Sequence, residues 1–250
     1  MKIAILSDIH SNIYALQAVI NDAKSKSVDL MINAGDSFYG PIEPRATYEL
    51  LRENNFVNIC GNQDREILEA SLEQLENNPT LKYAYEQLGE EVLYWIQDLP
   101  FEKFLGKDLY VTHGTQHDDS VYLLEDLSTG KPVLRDENKI IELLDDVESR
   151  FVVCGHSHTP RCVNLSTGQV VINPGSVGLQ AYKENQPNEH IIENAYCDAT
   201  YIILDVNSSE YNIELVKVVY DYEQAALKAE SNGREDWAYT LRTGKILPNS

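Results

Sequence analysis

The chain is short of positive charge: 20 lysines and arginines stand against 40 aspartates and glutamates, a formal net charge of −20 over 250 residues. A field of that sign opposes long polyanions and offers no polybasic footprint for nucleic acid or an anionic membrane. It does not exclude a small phosphorylated substrate, because bound divalent cations supply local positive charge against the global field. Long apolar runs are lacking as well. The run from Ile3 to Leu6 stops at Ser7 and Asp8, too short for a signal-peptide core and far too short for a bilayer span, and no later run approaches those lengths. Cysteine is scarce. Cys60, Cys154, Cys162 and Cys197 form no Cys-x-x-Cys pair, which points to reduced structural thiols and a cytoplasmic location. No repeat, low-complexity tract or Gly/Ser linker marks a boundary. The expectation is one domain over residues 1–250, with 199–250 as a C-terminal strand hairpin and helical extension.

The first half alternates strand and helix patterns: KIAILS, an amphipathic stretch from Ile13 to Lys24, DLMINA, then a helix opening at Pro44, where a missing amide hydrogen costs nothing. Two helical segments are expected between Arg65 and Leu99. The second carries a core stripe of Leu81, Ala84, Tyr85, Leu88, Val92 and Trp95 at helical spacing. Later the pattern turns to hairpins. RCVNL and QVVIN flank Ser166-Thr167-Gly168, and ATYIILDV and YNIELVKVVY flank Asn207-Ser208-Ser209, before a helical tail near Asp221. The polar stretch from Tyr182 to Asp198 reads as a long surface excursion that carries a surface His190. Composition and period support an α/β class with later hairpins and no finer architecture.

Five short motifs each follow an apolar run: Asp8-Ile9-His10, Gly35-Asp36, Gly61-Asn62, His113-Gly114 and Gly155-His156-Ser157-His158. In open α/β folds, strand ends present side chains on loops while the strands hold them rigid. If the extended conformation persists past the strand, Asp8 and His10 emerge on one side and grip one cation, and His156 and His158 repeat that geometry. Two carboxylates, one amide and four imidazoles suit two borderline transition metals rather than calcium, whose ligands are all oxygen.

These blocks, in this order from Met1 to Gly178, resemble the calcineurin-like metallophosphoesterase superfamily. The resemblance implies a four-layer α/β/β/α fold of two mixed sheets flanked by helices, and the C-terminal part beyond Tyr201 is expected to complete the second sheet and cover one edge. It implies one metal on Asp8, His10, Asp36 and His158, and another on Asp36, Asn62, His113 and His156, with Asp36 bridging. Mn or Fe come first, with Zn, Ni or Co as alternatives, and a metal-bridging hydroxide attacks phosphorus. Asn173-Pro174-Gly175-Ser176 and the stretch from Gly35 to Pro41 are similar to blocks of the smaller bacterial and archaeal members. The latter stretch places Tyr39 beside the metals as a candidate substrate contact.

The chain departs from the family where Gly61-Asn62-Gln63-Asp64 replaces Gly-Asn-His-Asp. In the family that histidine often protonates the leaving group and the residue matching Asp64 orients it; Gln63 cannot donate a proton as an acid, and a positioned acid contributes about 10²–10⁴-fold. Good leaving groups suffer least from its loss, so the expected reaction is phosphodiester or nucleotide polyphosphate hydrolysis on a small phosphorylated substrate, a nucleotide among the candidates. Asp36, Asn62 and Asp64 are the candidate catalytic residues, and Asn62, Tyr39 and His117 the candidate substrate contacts. His117 could supply the proton if its loop folds over the site; the alternative is a solvated histidine. A serine/threonine-type protein phosphatase is the second reading. A non-catalytic binding scaffold, the role of a relative in membrane-trafficking assemblies, is the rival of another class. The sequence leaves the oligomeric state open.

Overall fold

The computed structural model describes residues 1–207 and 210–248, so Ser208 and Ser209 of the expected turn lie outside the described residues. In chain order the elements are β1 Lys2–Leu6, α1 Ile13–Ser25, β2 Leu30–Asn33, α2 Pro44–Glu53, β3 Val57–Asn58, α3 Asn62–Glu69, α4 Leu72–Asn77 and α5 Pro79–Gln97. There follow β4 Glu102–Leu105, β5 Leu109–Thr112, β6 Glu125–Asp126, β7 Val133–Leu134, α6 Glu137–Leu144, β8 Phe151–Val153, β9 Arg161–Asn164 and β10 Val170–Asn173. The chain continues with β11 Ala181–Glu184, β12 His190–Glu193, β13 Ala199–Val206, β14 Tyr211–Val218, α7 Tyr222–Ser231 and α8 Glu235–Thr243.

Two five-stranded mixed sheets run in the orders β14-β13-β1-β2-β3 and β4-β5-β8-β10-β9. Strand alternation makes the layers. Ile3 and Ile5 of β1 face Val111, Phe151, Val153 and Ile172 across the inter-sheet core. Ala4 and Leu6, on the opposite face, pack under α1, α2, α5, α7 and α8. Tyr110, Val152 and Val171 on the far side of the second sheet pack with Ile140 and Leu144 of α6. Helices, sheet, sheet and helix give the four layers expected from the resemblance.

The structure corrects several expectations. The C-terminal hairpin joins the first sheet, since β13 pairs antiparallel with β1 (Ile5 opposite Ile202); it was expected to complete the second. Between Arg65 and Leu99 there are three helical elements. Asn78 caps α5 by accepting from Leu81 N, which lets the chain stop and restart, and Gly89 kinks α5 at φ 71°. Leu81, Ala84, Leu88, Val92 and Ile96 are buried, whereas Tyr85, expected in the stripe, is exposed. The supposed excursion from Tyr182 contains the hairpin β11–β12, and His190 is 1% exposed, not superficial. All four cysteines are free thiols. Among the described residues, no helix is long and apolar enough to cross a membrane.

Candidate metal centre

The motif residues gather at the ends of β1, β2, β5 and β8 and the start of α3, but not by continued extension. Regular strand ends at Leu6, and Asp8, His10, Asp36, His156 and His158 adopt φ of 57°, 49°, 56°, 66° and 53°. Left-handed backbone is costly for residues with a Cβ and concentrates at functional sites where surrounding structure enforces it. Here the loops hold one another. Asp8 N donates to Gly35 O, His10 N to Asp36 O and Ser11 N to Ser37 O. Gly61 lies so close that a Cβ there would sit 2.2 Å from Asp36 Oδ1. The Asn173–Ser176 block ties the ensemble together: Asn173 Nδ2 donates to Gly155 O and Ser157 Oγ, and Ser176 Oγ donates to Asp8 O.

Two triads result, Asp8–His10–His158 and Asp36–His113–His156, each with ligand atoms within 4.8 Å of one another. His156 and His158 are thus divided between them. In the first triad, His10 Nδ1 donates to Tyr39 O at 2.9 Å and His158 Nδ1 to Leu179 O at 2.7 Å. Carbonyls only accept, so each ring spends its Nδ1 hydrogen on the backbone and turns its Nε2 inward, and the two Nε2 atoms face each other at 3.0 Å. Such an approach calls for a cation. In the second triad, His113 Nδ1 donates to Ala34 O, which leaves Nε2, whereas His156 Nε2 donates to Ser120 O, which leaves Nδ1. Backbone carbonyls therefore select the coordinating nitrogen on each ring.

Asp8 and Asp36 are 0% and 2% exposed, and neither has a lysine or arginine partner among the described residues. Buried carboxylates without a cation are expensive. Asp8 Oδ2, Asn62 Oδ1 and His113 Nε2 are likewise buried with no hydrogen bond. These residues fit a pair of divalent metals. Burial and the neighbouring His158 push His10 down to about 4, and burial with His113 does the same to His156, so both are neutral, as ligands require. Burial opposes charge on His113, but Asp36 outweighs it and lifts the ring to about 10; a proton stands where the cation is wanted. Burial would raise Asp36, yet His113 beside it holds the carboxyl below the usual range.

Both triads open on one cavity of about 250 Å³, lined also by Asn62, Gln63, Tyr39 and Tyr182. Asp64 takes no part in that lining. Its carboxylate accepts from the backbone N–H of Ser37, Phe38 and Gly61 and fixes the Asp36 loop against α3. Burial, reinforced by Asp36, raises it to about 7 despite those donors. His117 is also outside the lining, 69% exposed and paired with Asp145. Tyr39 does line the cavity, its hydroxyl bonded to Asn78.

Sequence reasoning missed four residues. Tyr122 stacks on His156 at 4.1 Å and 16°, and its hydroxyl meets His190 Nε2 and Tyr182 Oη. Tyr182 packs against His158 at 4.5 Å. Trp237 meets His10 edge-on at 6.1 Å, and Arg234 lies over Trp237. The turn-forming Asn185-Gln186-Pro187-Asn188 between AYKE and HIIE was the available signal for Tyr182 and His190. Arg234 and Trp237 sit in an ordinary amphipathic pattern and carry none.

Residues 1–194 match the family model described as the calcineurin-like phosphoesterase superfamily domain. An uncharacterised protein of Methanocaldococcus jannaschii is 27% identical over 251 residues, 94% of each chain. The crystal structure of a metallophosphoesterase from Sphaerobacter thermophilus superposes with a TM-score of 0.75 at 22% identity, over 98% of this chain and 100% of that one, and so shares the fold.

Proposed function

The chain belongs to the calcineurin-like phosphoesterase superfamily, a family of metal-dependent hydrolases of phosphoric esters, and on that premise we propose that it hydrolyses phosphodiester or nucleotide polyphosphate bonds at a dinuclear centre. The observation that carries this reading is the pair of triads, whose ring nitrogens and carboxylates converge at one cavity with no lysine or arginine partner among the described residues. Asp8, His10 and His158 would hold one cation and His113, Asn62 and His156 the other, with Asp36 available to both; Mn or Fe is favoured, with Zn, Ni or Co also compatible with the ligands. Bound there, two cations supply Lewis acidity toward a phosphoryl oxygen and activate a water molecule as nucleophile. The chain's own residues do the rest. Asn62 has an amide that can turn its oxygen to the metal side and its NH₂ to a phosphoryl oxygen. Its Nδ2 meets only Glu66, at 3.4 Å.

Gln63 presents a carboxamide, not an acid, to the cavity, which favours leaving groups that depart without a proton. The charge of −20 and the size of the cavity favour a small soluble phosphate over a long nucleic acid or a membrane surface. The four free thiols fit a cytoplasmic setting.

The test is metal content and turnover of bis-p-nitrophenyl phosphate after reloading with Mn²⁺ or Fe²⁺. Two metals per chain with turnover supports the proposal. Two metals with no turnover of any mono-, di- or polyphosphate defeats it and leaves a binding scaffold.

A further inference from the structure

We propose that Arg234 is a phosphate-binding residue that selects substrates with a second phosphoryl group on the leaving side, a polyphosphate chain rather than the ester of an uncharged alcohol. The proposal rests on the phosphoester reading of the same cavity and deepens it.

The floor of the cavity comes from the triads, but its outer wall comes from α8 and the tail behind it: Arg234, Trp237, Thr240 and Ile246 all line it. These residues lie beyond the matched family region, which ends at residue 194. Two cations line the cavity, Lys183 and Arg234. Lys183 is a point charge engaged with Glu189 at 3.1 Å. Arg234 is held differently. Its Nε donates to Asp236 Oδ1 at 2.9 Å and its Nη2 to Asp236 Oδ2 at 2.6 Å, so one edge of the guanidinium is fixed. Its plane is supported by Trp237, with Cζ 5.8 Å from the ring centroid.

The opposite edge, Nη1 and the second hydrogen of Nη2, makes no hydrogen bond among the described residues. A guanidinium edge of that kind matches two oxygens of one phosphoryl group, which an ammonium cannot do. The Trp237 ring that supports Arg234 also stands edge-on to the ligand His10, at 6.1 Å. One indole therefore separates the free fork from the first triad. Asp236 cancels the net charge, so the pair attracts anions weakly at long range and rewards a phosphate that docks in register.

Gln63 fits the same substrate. When water attacks the phosphorus nearer the triads, the P–O bond to the bridging oxygen breaks and its electron pair stays on the departing phosphate. Water contributes its oxygen to the attacked phosphorus, and the released proton goes to solvent. A departing phosphate needs no acid, and Arg234 offers it two N–H donors instead.

Full-length Arg234→Met and Arg234→Lys proteins loaded with Mn²⁺ test this with inorganic tripolyphosphate and bis-p-nitrophenyl phosphate. The expected result is a KM for tripolyphosphate that rises about 10–100-fold more than the KM for the diester in Arg234→Met, the scale of one charge-assisted fork. Arg234→Lys should recover only part of it. Direct titration with non-hydrolysable imidodiphosphate should show Kd at least about tenfold weaker in Arg234→Met. Equal KM changes for both substrates, or an unchanged imidodiphosphate Kd, would overturn the proposal and make Arg234 a wall residue only. If the wild type hydrolyses neither compound but binds imidodiphosphate through Arg234, the phosphoester reading fails and the subsite stands. Should Arg234→Met lose its circular dichroism, Arg234→Lys alone decides, with an unchanged KM ratio counting against the fork.

Discussion

At the floor of the cavity, Asp8, His10, Asp36, His156 and His158 occupy left-handed backbone, and two carboxylates are buried with no lysine or arginine partner among the described residues. At its outer wall, Trp237 and Thr240 ride on a regular helix, and Arg234 carries its own counter-charge in Asp236. The floor stores conformational and electrostatic cost and is locked by hydrogen bonds between loops distant in sequence, such as Asp8 with Gly35 and Gly178. The wall stores almost none. Strain is thus spent where cations must be gripped, and the surface that meets the rest of the substrate is assembled from cheap helical parts that can vary without disturbing the ligands. On the proposed reading, the chemistry belongs to the floor and selectivity to the wall.

The sharpest way to break that division is Asp36→Asn. Turnover of bis-p-nitrophenyl phosphate should fall at least about 10²–10³-fold, the scale of losing one preorganised electrostatic group at a transition state. Metal content should fall from two toward none, because the amide supplies one neutral oxygen where a shared carboxylate stood. The metal-free variant should melt below the metal-free wild type, because asparagine leaves the buried His113 imidazolium without the carboxylate that faces it at 3.3 Å. Steady-state kinetics, metal analysis and calorimetry check the three parts. Full activity with both metals bound would remove Asp36 from the bridging position.

The same contrast sets what was legible in the sequence. Asp8, His10, Asp36, Asn62, His113, His156 and His158 stand out because metal chemistry restricts residue type and strand ends restrict position. Their backbone was not legible: extension through Asp8 and His10 predicts convergence for the wrong reason, since the left-handed turns are imposed by Gly35 O, Asp36 O and Ser37 O from another strand's loop. The sheet to which the C-terminal hairpin adds was hidden too, because alternation in ATYIILDV specifies a buried strand and not its neighbour. His190 was misplaced because its burial depends on partners, Tyr122 and Tyr182, far away in the chain. Trp237 and Arg234 reach the site only through tertiary packing of α8, to which no local pattern is sensitive.

Tyr122 tests whether the floor needs support beyond its ligands. Its ring lies on His156 at 4.1 Å and 16°, and its hydroxyl joins His190 and Tyr182. Partners that orient a ligand are worth about 10–100-fold in metal affinity. Tyr122→Leu should weaken Mn²⁺ at the second triad about tenfold, at the low end of that range because a stack orients less firmly than a hydrogen bond. Tyr122→Phe, which keeps the ring, should lose much less. Competition with a chelator measures both. Equal losses would shift the effect from the stack to the hydroxyl.

The smallest effect is expected at position 63, where floor and leaving group meet. Gln63 lines the cavity, its Oε1 is buried without a hydrogen bond, and its backbone N–H donates to Asp36 Oδ1 at 2.9 Å. Gln63→His places a proton donor there and leaves that backbone bond available. A positioned acid is worth about 10²–10⁴-fold, but only when oriented. Asp64, the residue that would orient it, is already committed: Oδ1 accepts from Ser37 N at 2.9 Å and Phe38 N at 3.1 Å, and Oδ2 from Gly61 N at 3.3 Å. The gain should therefore stop at severalfold, read as the turnover of an alkyl phosphate monoester relative to bis-p-nitrophenyl phosphate. An increase of the full size would mean that Asp64 abandons the Asp36 loop to hold the new imidazole, and the melting temperature should then fall with it. An unchanged ratio would mean that position 63 does not face the leaving group, and the preference for good leaving groups would have to come from the wall alone.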